Sequence, residues 1–301
     1  MSIKPKTLRK GDLIGVIAAA GPVTPAEIEP GVALLESRGY RVRLSEALYE
    51  KKGYLAGEDS IRLAELERMF GDEEVKAVIC ARGGYGTLRL LERLDFKLIR
   101  SYPKIFMGFS DITALLWAFY KKTGLITFHG PMVKSLGSDQ ARNLESFENL
   151  MTAQSPLQLK LDQGTVIRPG KVSGTLLGGN LSLISHMIGT AFMPELKGTL
   201  LFLEDTNEAL YRIDRYLSHL RLSGLLDDLA GIILGRFEGC EEVDQLPDLF
   251  AERLAGLGIP VCSGLPVGHG AENLALPLGI QATLDTGRMT LTLEEAWVTK
   301  P

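Results

Sequence analysis

Ser110 occupies the junction between a predicted strand and a predicted helix. The apolar segment 105–109 predicts a strand, and a helical pattern runs from Asp111 to residue 120, so almost no loop separates them. A serine at such a turn exposes its hydroxyl at the carboxyl edge of a sheet, and the following backbone N–H can face a developing oxyanion. The segment departs from Gly-x-Ser-x-Gly, because Ile112 stands where the second glycine would be. Two interpretations stay open here, a nucleophile and an ordinary helix cap.

A serine nucleophile needs a base, and the chain has four histidines to supply one. His186 and His219 lie inside predicted helices, where packing and surface roles are common. His129 follows a predicted strand and could line a cleft. His269 lies between two glycines just after a strand predicted to end at Leu265, and the glycines let the backbone turn and a substrate approach. His269 is therefore the preferred base and His129 the second choice.

The base in turn needs a carboxylate to orient it, and Glu204 is the best placed. The apolar segment 199–203 predicts a buried strand that ends abruptly at Glu204-Asp205. An acid there could also be a simple cap. However, Ser110, Glu204 and His269 all follow predicted strands, and open α/β folds gather functional groups at that sheet edge.

The glycine loop Arg82-Gly83-Gly84-Tyr85-Gly86 follows a strand predicted over residues 75–81 and precedes a helix predicted over 87–94. Its backbone N–H groups could bind an anion, and the Gly84 N–H is the expected second oxyanion donor beside that of Asp111. The loop fits a dinucleotide fingerprint poorly, because Arg89 replaces the third glycine. It also lacks the Gly-Lys-Ser/Thr of a phosphate-binding P-loop.

The elements that must position these residues alternate between strand and helix in the first half of the chain. This pattern predicts an α/β protein, with an N-terminal parallel-sheet domain flanked by helices over residues 1–152. A change of composition predicts a linker over 153–172, and a mixed α/β C-terminal domain follows over 173–301. The further predicted elements are strands at 13–20, 41–44, 231–235 and 260–265, helices at 25–39, 60–70, 181–188 and 213–223, and a hairpin at 281–293.

Composition narrows the classes of function. The chain has 301 residues, 45% of them hydrophobic, and a net charge of −4 without a long basic run, so nucleic-acid binding is not expected. The three cysteines are not spaced for a zinc site or a disulfide framework and are expected to be buried thiols. No H-E-x-x-H motif, signal peptide or membrane span is evident, which predicts a cytoplasmic protein without metal or cofactor.

Four motifs together resemble the LD-carboxypeptidases of peptidoglycan recycling, and they occur in the family's order along the whole chain. They are Ala81–Gly86, Gly108–Thr113, Leu203–Asp205 and Val267–His269. The resemblance implies a Ser-Glu-His serine peptidase without a cofactor, built from a nucleophile domain and a C-terminal domain that carries the acid and the base. It also implies a site between the domains and a homodimer.

The same resemblance implies roles for individual residues. Ser110 would be the nucleophile, His269 the general base and Glu204 its orienting carboxylate, with Asp111 and Gly84 as the oxyanion hole. A carboxypeptidase must bind a terminal carboxylate. Arg82 is the expected partner because a guanidinium can grip a carboxylate with two hydrogen bonds, although a structural ion pair is an equal alternative. Gly83 and Tyr85 complete the expected substrate contacts.

The expected reaction is removal of the terminal D-alanine from a murein tetrapeptide. A relative of the same fold, the microcin C immunity peptidase, cleaves a peptidyl-adenylate instead. The segment Tyr211–Leu217 and the short chain resemble the recycling branch. A non-catalytic binding protein on the same scaffold is the remaining alternative, because fold alone does not fix function.

Overall fold

The computed structural model describes residues 2–137, 141–151, 156–161 and 163–300, and they form two compact units. The first unit comprises Met1–Ala153, Leu274–Pro277 and Trp297–Pro301, and the second comprises Gln154–Asn273 and Leu278–Ala296. The α/β fold with two sheets confirms the predicted fold class. No helix in these ranges is both long and apolar enough to cross a membrane.

The first unit is built on a six-stranded sheet with the order β12-β5-β4-β3-β1-β2. Its first five strands in sequence pair in parallel. These strands are β1 Leu13–Ile17, β2 Arg41–Leu44, β3 Val75–Cys80, β4 Ile105–Gly108 and β5 Thr127–His129, and the late strand β12 spans Leu276–Leu278. The helices are α1 Pro25–Ser37, α2 Asp59–Gly71, α3 Phe96–Ser101, α4 Thr113–Thr123, α5 Val133–Leu136 and α6 Ala141–Met151.

The local sequence explains these elements. Strands β1 and β4 are buried along their whole length, as continuous apolar strands in the middle of a parallel sheet must be. Helix α1 begins as predicted, with Pro25 in the first turn and a capping box in which Glu27 accepts a hydrogen bond from the N–H of Thr24 at 2.9 Å. Phe70, Phe106 and Phe119 pack ring against ring, with centroids 4.8–5.8 Å apart.

Two predicted helices differ in the structure. The segment 87–94 forms two short 3-10 turns, Thr87–Arg89 and Leu91–Arg93, in which the N–H of Leu90 bonds to the Thr87 carbonyl and the N–H of Arg93 to the Leu90 carbonyl, both at 3.0 Å. The helix after Ser110 also begins with a 3-10 turn, Ser110–Ile112, before α4 continues.

The second unit is built on a mixed eight-stranded sheet with the order β6-β14-β13-β8-β9-β10-β11-β7. Strands β8 to β11 pair in parallel, and the outer strands pair antiparallel. The strands are β6 Leu157–Lys160, β7 Val166–Arg168, β8 Lys171–Asn180, β9 Thr199–Thr206, β10 Gly231–Glu238, β11 Val261–Ser263, β13 Ile280–Asp285 and β14 Thr290–Leu293. The helices are α7 Leu181–Met187, α8 Leu210–Leu222 and α9 Leu246–Leu254.

The segment predicted as a linker is part of this sheet. Within 153–172, strands β6 and β7 form its two edges and β8 begins at Lys171, while residues 153–155 and 162 lie outside the described ranges. Strand β9 is also longer than predicted, so Glu204 and Asp205 lie inside it rather than after it. The predicted hairpin is present as β13 and β14. Cys80, Cys240 and Cys262 are buried free thiols, as expected.

Candidate active site

Ser110 lies two residues after the end of β4 in a left-handed backbone conformation, with φ of 63°. A residue other than glycine pays about 1–3 kcal/mol for such a conformation, and such strain is concentrated at functional sites. Gly108 makes the turn possible, since a Cβ there would lie 2.8 Å from Cγ2 of Ile112. Ile112, which replaces the second glycine of the Gly-x-Ser-x-Gly pattern, therefore packs directly against Gly108 in this turn.

The helix-cap interpretation of Ser110 does not fit this geometry. Phe109 holds the cap position of the 3-10 turn, Ile112 holds that of α4, and neither helix start has a side-chain cap hydrogen bond. Ser110 is the first residue of the turn, and its hydroxyl bonds to no group within the described residues. The hydroxyl therefore remains available for chemistry.

The glycine loop packs directly against this serine. A Cβ on Gly83 would lie 2.8 Å from the Cβ of Ser110 and 3.0 Å from its Oγ. Gly84 has φ of 128°, and a Cβ there would lie 2.9 Å from the backbone of Gly21. The Gly21 N–H donates to the carbonyl of Gly83 at 3.0 Å. Gly21 directly follows the strand predicted over residues 13–20, and its contact with the glycine loop was not predicted.

Asp111 ties the serine turn to the glycine loop. Its carboxylate is buried and accepts the N–H of Thr87 at 2.9 Å, and its own carbonyl accepts the Thr87 hydroxyl at 2.6 Å. Burial raises the pKa of Asp111, hydrogen bonds from Thr87 and Gly86 lower it, and the net pKa stays above the ordinary aspartate value. Sequence reasoning used only the backbone N–H of Asp111 and missed this carboxylate.

The backbone N–H groups of Gly84 and Asp111 are the two predicted oxyanion donors. Among the residues that the structure describes, none accepts a hydrogen bond from the N–H of Gly84 or of Asp111. Gly84 lies in the loop that packs against the serine turn, and Asp111 directly follows Ser110 in the sequence. The arrangement suits stabilisation of an oxyanion.

Arg62 holds the other end of the glycine loop and was not predicted. Its buried guanidinium donates to the carbonyl of Ala19 at 2.6 Å, to that of Gly86 at 3.1 Å, and to Asp59 at 2.6 Å. Because Arg62 lies near the start of an ordinary helix, α2, its position in the sequence gave no sign of this role.

Arg82 is half-buried, and its guanidinium reaches the carbonyl of Pro22 at 3.4 Å. Within the described part of the chain it forms no ion pair, so the alternative of a structural ion pair finds no support there. Tyr85 is 54% exposed, and its ring meets that of Tyr54 edge to face with centroids 5.4 Å apart. Both side chains remain accessible to a ligand.

Glu204 and His269 form a hydrogen-bonded pair in the second unit. The Nδ1 of His269 lies 2.8 Å from Oε2 of Glu204, whose side chain is fully buried. Two glycines make room for the acid: a Cβ on Gly268 would lie 2.8 Å from that same oxygen, and a Cβ on Gly235 would lie 3.2 Å from the Cβ of Glu204. The side chain of Asn273 holds the histidine loop by accepting the Gly268 N–H at 2.9 Å.

The surroundings of His269 favour its protonated form. Burial lowers the pKa of His269, but the hydrogen bond and charge of Glu204 and the charge of Asp205 raise it more, so the net pKa lies above the ordinary histidine value. A neutral His269 that donates its Nδ1 proton to Glu204 would leave Nε2 as a base.

Asp205 has a different role from its neighbour. Its carboxylate accepts hydrogen bonds from the Asn180 amide, the Ser182 N–H and the Thr206 N–H at 2.8–2.9 Å, and it thereby secures the start of α7. Burial and the charge of Glu204 raise the pKa of Asp205 to about 6. These bonds occupy Asp205, whereas Glu204 is the acid that contacts His269.

The other histidines lie elsewhere in the two units. His129 is fully buried at the end of β5, opposite Gly108 in the sheet and with its ring 5.9 Å from that of Phe109. His186 and His219 are exposed and lie in helices, as predicted; the ring of His186 meets that of Tyr216 edge to face, and Nδ1 of His219 lies 3.0 Å from the hydroxyl of Ser185.

Comparison with known proteins matches both halves of the chain. The family models for the LD-carboxypeptidase N-terminal domain and C-terminal domain match residues 14–130 and 173–284. A probable murein peptide carboxypeptidase of Bacillus subtilis is 42% identical over 98% of this chain and 95% of its own length. A crystal structure of muramoyltetrapeptide carboxypeptidase from Oxalobacter formigenes is 33% identical with a TM-score of 0.86, over 95% of this chain and all of that one.

A second kind of relative is also similar in fold. The microcin C7 self-immunity protein MccF of Escherichia coli is 30% identical over 97% of this chain and 95% of its own. A structure of MccF in complex with aspartyl sulfamoyl adenosine superposes with a TM-score of 0.92 at 28% identity, covering 99% of this chain and all of that one.

Proposed function

This chain belongs to the LD-carboxypeptidase family of serine peptidases, and we propose that it removes the terminal D-alanine from a murein tetrapeptide. The observation that carries the proposal is the hydrogen bond between His269 and the buried Glu204, which is the base and orienting acid that a serine peptidase needs. The murein carboxypeptidases among its relatives support the choice of substrate.

In the proposed mechanism, Ser110 attacks the carbonyl of the residue before the D-alanine. His269 takes the serine proton at Nε2 while its Nδ1–H donates to Glu204, which fixes the tautomer and stabilises the imidazolium. The N–H groups of Asp111 and Gly84 donate to the oxyanion, and each such donor is worth about 2.7–4 kcal/mol of transition-state stabilisation.

The tetrahedral intermediate formed by the attack of Ser110 then collapses to an acyl-enzyme. The C–N bond breaks, His269 gives its proton to the leaving amine, and D-alanine departs. A water molecule, deprotonated by the same histidine, attacks the ester and releases the tripeptide and Ser110.

Arg82 is the proposed partner for the terminal carboxylate of the substrate. Its guanidinium is half-buried and holds only a long hydrogen bond to the Pro22 carbonyl, so a carboxylate can replace that contact at little cost. Gly83 and Tyr85 border the same loop and complete the proposed substrate contacts. The proposal further includes a cytoplasmic location and a homodimer, and size-exclusion chromatography with light scattering would test the homodimer.

The likeness to MccF supports one alternative, hydrolysis of a peptidyl-adenylate. A mass-spectrometric assay that offers the purified protein a murein tetrapeptide and a peptidyl-adenylate in parallel separates the two. We expect the tetrapeptide to lose one alanine, and a matched peptide ending in L-alanine to stay intact. Cleavage of the adenylate alone would contradict the proposed function.

A further inference from the structure

Arg62 is a buried cation in an electrostatically unfavourable place. Its side chain is only 1% exposed, and it is the fourth residue of α2, near the end of the helix where the helix dipole disfavours a positive charge. A buried guanidinium also needs hydrogen bonds and an opposite charge to compensate its lost hydration. Because an apolar side chain could fill the same space without these requirements, an arginine here indicates a role other than packing.

The hydrogen bonds of Arg62 show which segments it connects. The guanidinium donates to the Ala19 carbonyl in the turn after β1 at 2.6 Å and to the Gly86 carbonyl in the glycine loop at 3.1 Å. A third bond, at 2.6 Å, goes to the carboxylate of Asp59 on its own helix, which supplies the opposite charge. One side chain therefore joins α2, the turn after β1 and the glycine loop.

Gly84, whose N–H is a proposed oxyanion donor, lies between two carbonyls that are held in this way. The carbonyl of Gly83 accepts the Gly21 N–H at 3.0 Å, and the carbonyl of Gly86 accepts the guanidinium of Arg62. Gly84 and Gly86 have φ of 128° and 116°, a region in which glycine has wide conformational freedom. The direction of the Gly84 N–H therefore depends on these hydrogen bonds.

Gly86 itself lies between two buried charges. Its carbonyl accepts the guanidinium of Arg62, and its N–H bonds to the carboxylate of Asp111. The positive charge of Arg62 lowers the pKa of Asp111, so the two charges stabilise each other. Asp111 follows Ser110 and carries the second proposed oxyanion N–H. Arg62 is thus connected, through Gly86, to the segments of both donors.

We propose that Arg62 is a positioning residue of the oxyanion hole, which holds the glycine loop so that the Gly84 N–H faces the oxyanion formed when Ser110 attacks. It acts through the carbonyl of Gly86 and not by contact with the substrate. The inference rests on the proposed function, because the oxyanion forms in that reaction. Since the oxyanion develops in the transition state, loss of Arg62 should lower kcat and leave KM nearly unchanged.

The first test measures D-alanine release from murein tetrapeptide by the wild type and by variants of the full chain. For Arg62→Met we expect kcat to fall about 10- to 100-fold, less than the loss of about 10²- to 10³-fold that follows removal of a donor outright. Arg62→Lys should lie between Arg62→Met and the wild type, because an ammonium keeps the charge but lacks the planar fork that serves three acceptors.

Arg89→Met is the matched control. The side chain of Arg89 binds the same carboxylate of Asp59 at 2.9 Å, and within the described residues it bonds to no carbonyl of the glycine loop. This variant should keep the kcat of the wild type. Melting temperatures of all three variants show which of them are folded.

The second test separates a positioning role from a general loosening of the fold. A boronic acid analogue of the tripeptide product forms a tetrahedral adduct with the nucleophilic serine, whereas the tripeptide product itself binds without an oxyanion. In Arg62→Met, the Kd of the boronic acid should rise by the same factor by which kcat falls, and the Kd of the tripeptide should stay unchanged. A loosened fold would weaken both ligands.

Three results would overturn the positioning role while the proposed function stands. The first is a folded Arg62→Met variant whose kcat is within about twofold of the wild type. The second is a loss confined to KM, or equal weakening of the boronic acid and the tripeptide. The third applies if Arg62→Met does not fold, and is an Arg62→Lys variant with the kcat of the wild type. A wild-type protein that releases no D-alanine would instead refute the proposed function, and the positioning role with it.

Discussion

At the scale of single residues, the pair formed by Glu204 and His269 is the best-defined part of the site. The carboxylate is fully buried in space that Gly235 and Gly268 leave open, so its position is fixed by packing as well as by the 2.8 Å hydrogen bond. Its neighbour Asp205 points to the start of α7. The two adjacent acids therefore have different contacts: Glu204 bonds to the proposed base, and Asp205 bonds to the start of α7.

Replacing Glu204 should change the pH dependence as well as the rate. His269 is active as a base only when neutral, so wild-type kcat/KM should rise with pH through a midpoint above 6.5, the ordinary value from which its pKa is raised. Glu204→Gln removes the hydrogen-bonded charge and leaves burial, which lowers the pKa of His269, so the midpoint should move to lower pH. The plateau should fall by an amount on the order of 10⁴-fold, as for the equivalent change in other serine peptidases.

Asp205→Asn is the control for that experiment. It weakens the hydrogen bonds at the start of α7, so it should lower the melting temperature and reduce activity far less than Glu204→Gln does. The comparison requires kcat/KM measured as a function of pH for both variants. An ordering in which Asp205→Asn loses more activity would move the orienting role to Asp205.

At the scale of elements, hydrogen bonds connect three turns at the carboxyl edge of the first sheet. The turn after β1 bonds to the glycine loop through Gly21 and Gly83, and Thr87 bonds that loop to Asp111 after β4. The two proposed oxyanion donors, Gly84 and Asp111, therefore sit on segments whose spacing is set by hydrogen bonds. Such fixed spacing is what preorganised stabilisation of an oxyanion requires.

The hydroxyl of Thr87 allows this coupling to be tested. Thr87→Val keeps the shape of the side chain but loses the 2.6 Å hydrogen bond to the Asp111 carbonyl, so the donors should become less well placed. We expect kcat to fall about 10-fold with KM nearly unchanged, because the loss concerns the transition state. Thr87→Ser keeps the hydroxyl and should retain most of the activity. Equal kcat values for the two variants would refute the coupling.

At the scale of the whole molecule, the proposed triad draws on both units. Ser110, Gly84 and Asp111 belong to the first unit, and Glu204 and His269 belong to the second. Each of the two family models matches one of these groups of residues. The protein is thus a serine-type peptidase whose proposed nucleophile and base lie far apart in sequence.

Much of this organisation could be predicted from the sequence, because it follows from local patterns. Buried strands such as β4 are continuous apolar runs, and the helix start at Thr24 and Pro25 has ordinary capping chemistry. The contributions of Arg62 and of the Asp111 carboxylate could not be predicted, because they depend on contacts 24 or more residues apart in the chain. Strands β6 and β7, which lie in the segment predicted as a linker, were missed for the same reason, since they form by pairing with β14 and β11.

The most direct test of the central claim is the rate of D-alanine release from murein tetrapeptide by the Ser110→Ala variant of the full chain, measured beside the wild type. Alanine removes the hydroxyl and changes little else, so the melting temperature should stay close to that of the wild type. We predict that the wild-type protein releases D-alanine and that the variant loses at least ~10³-fold of that rate. A folded Ser110→Ala protein that releases D-alanine as fast as the wild type would contradict the account.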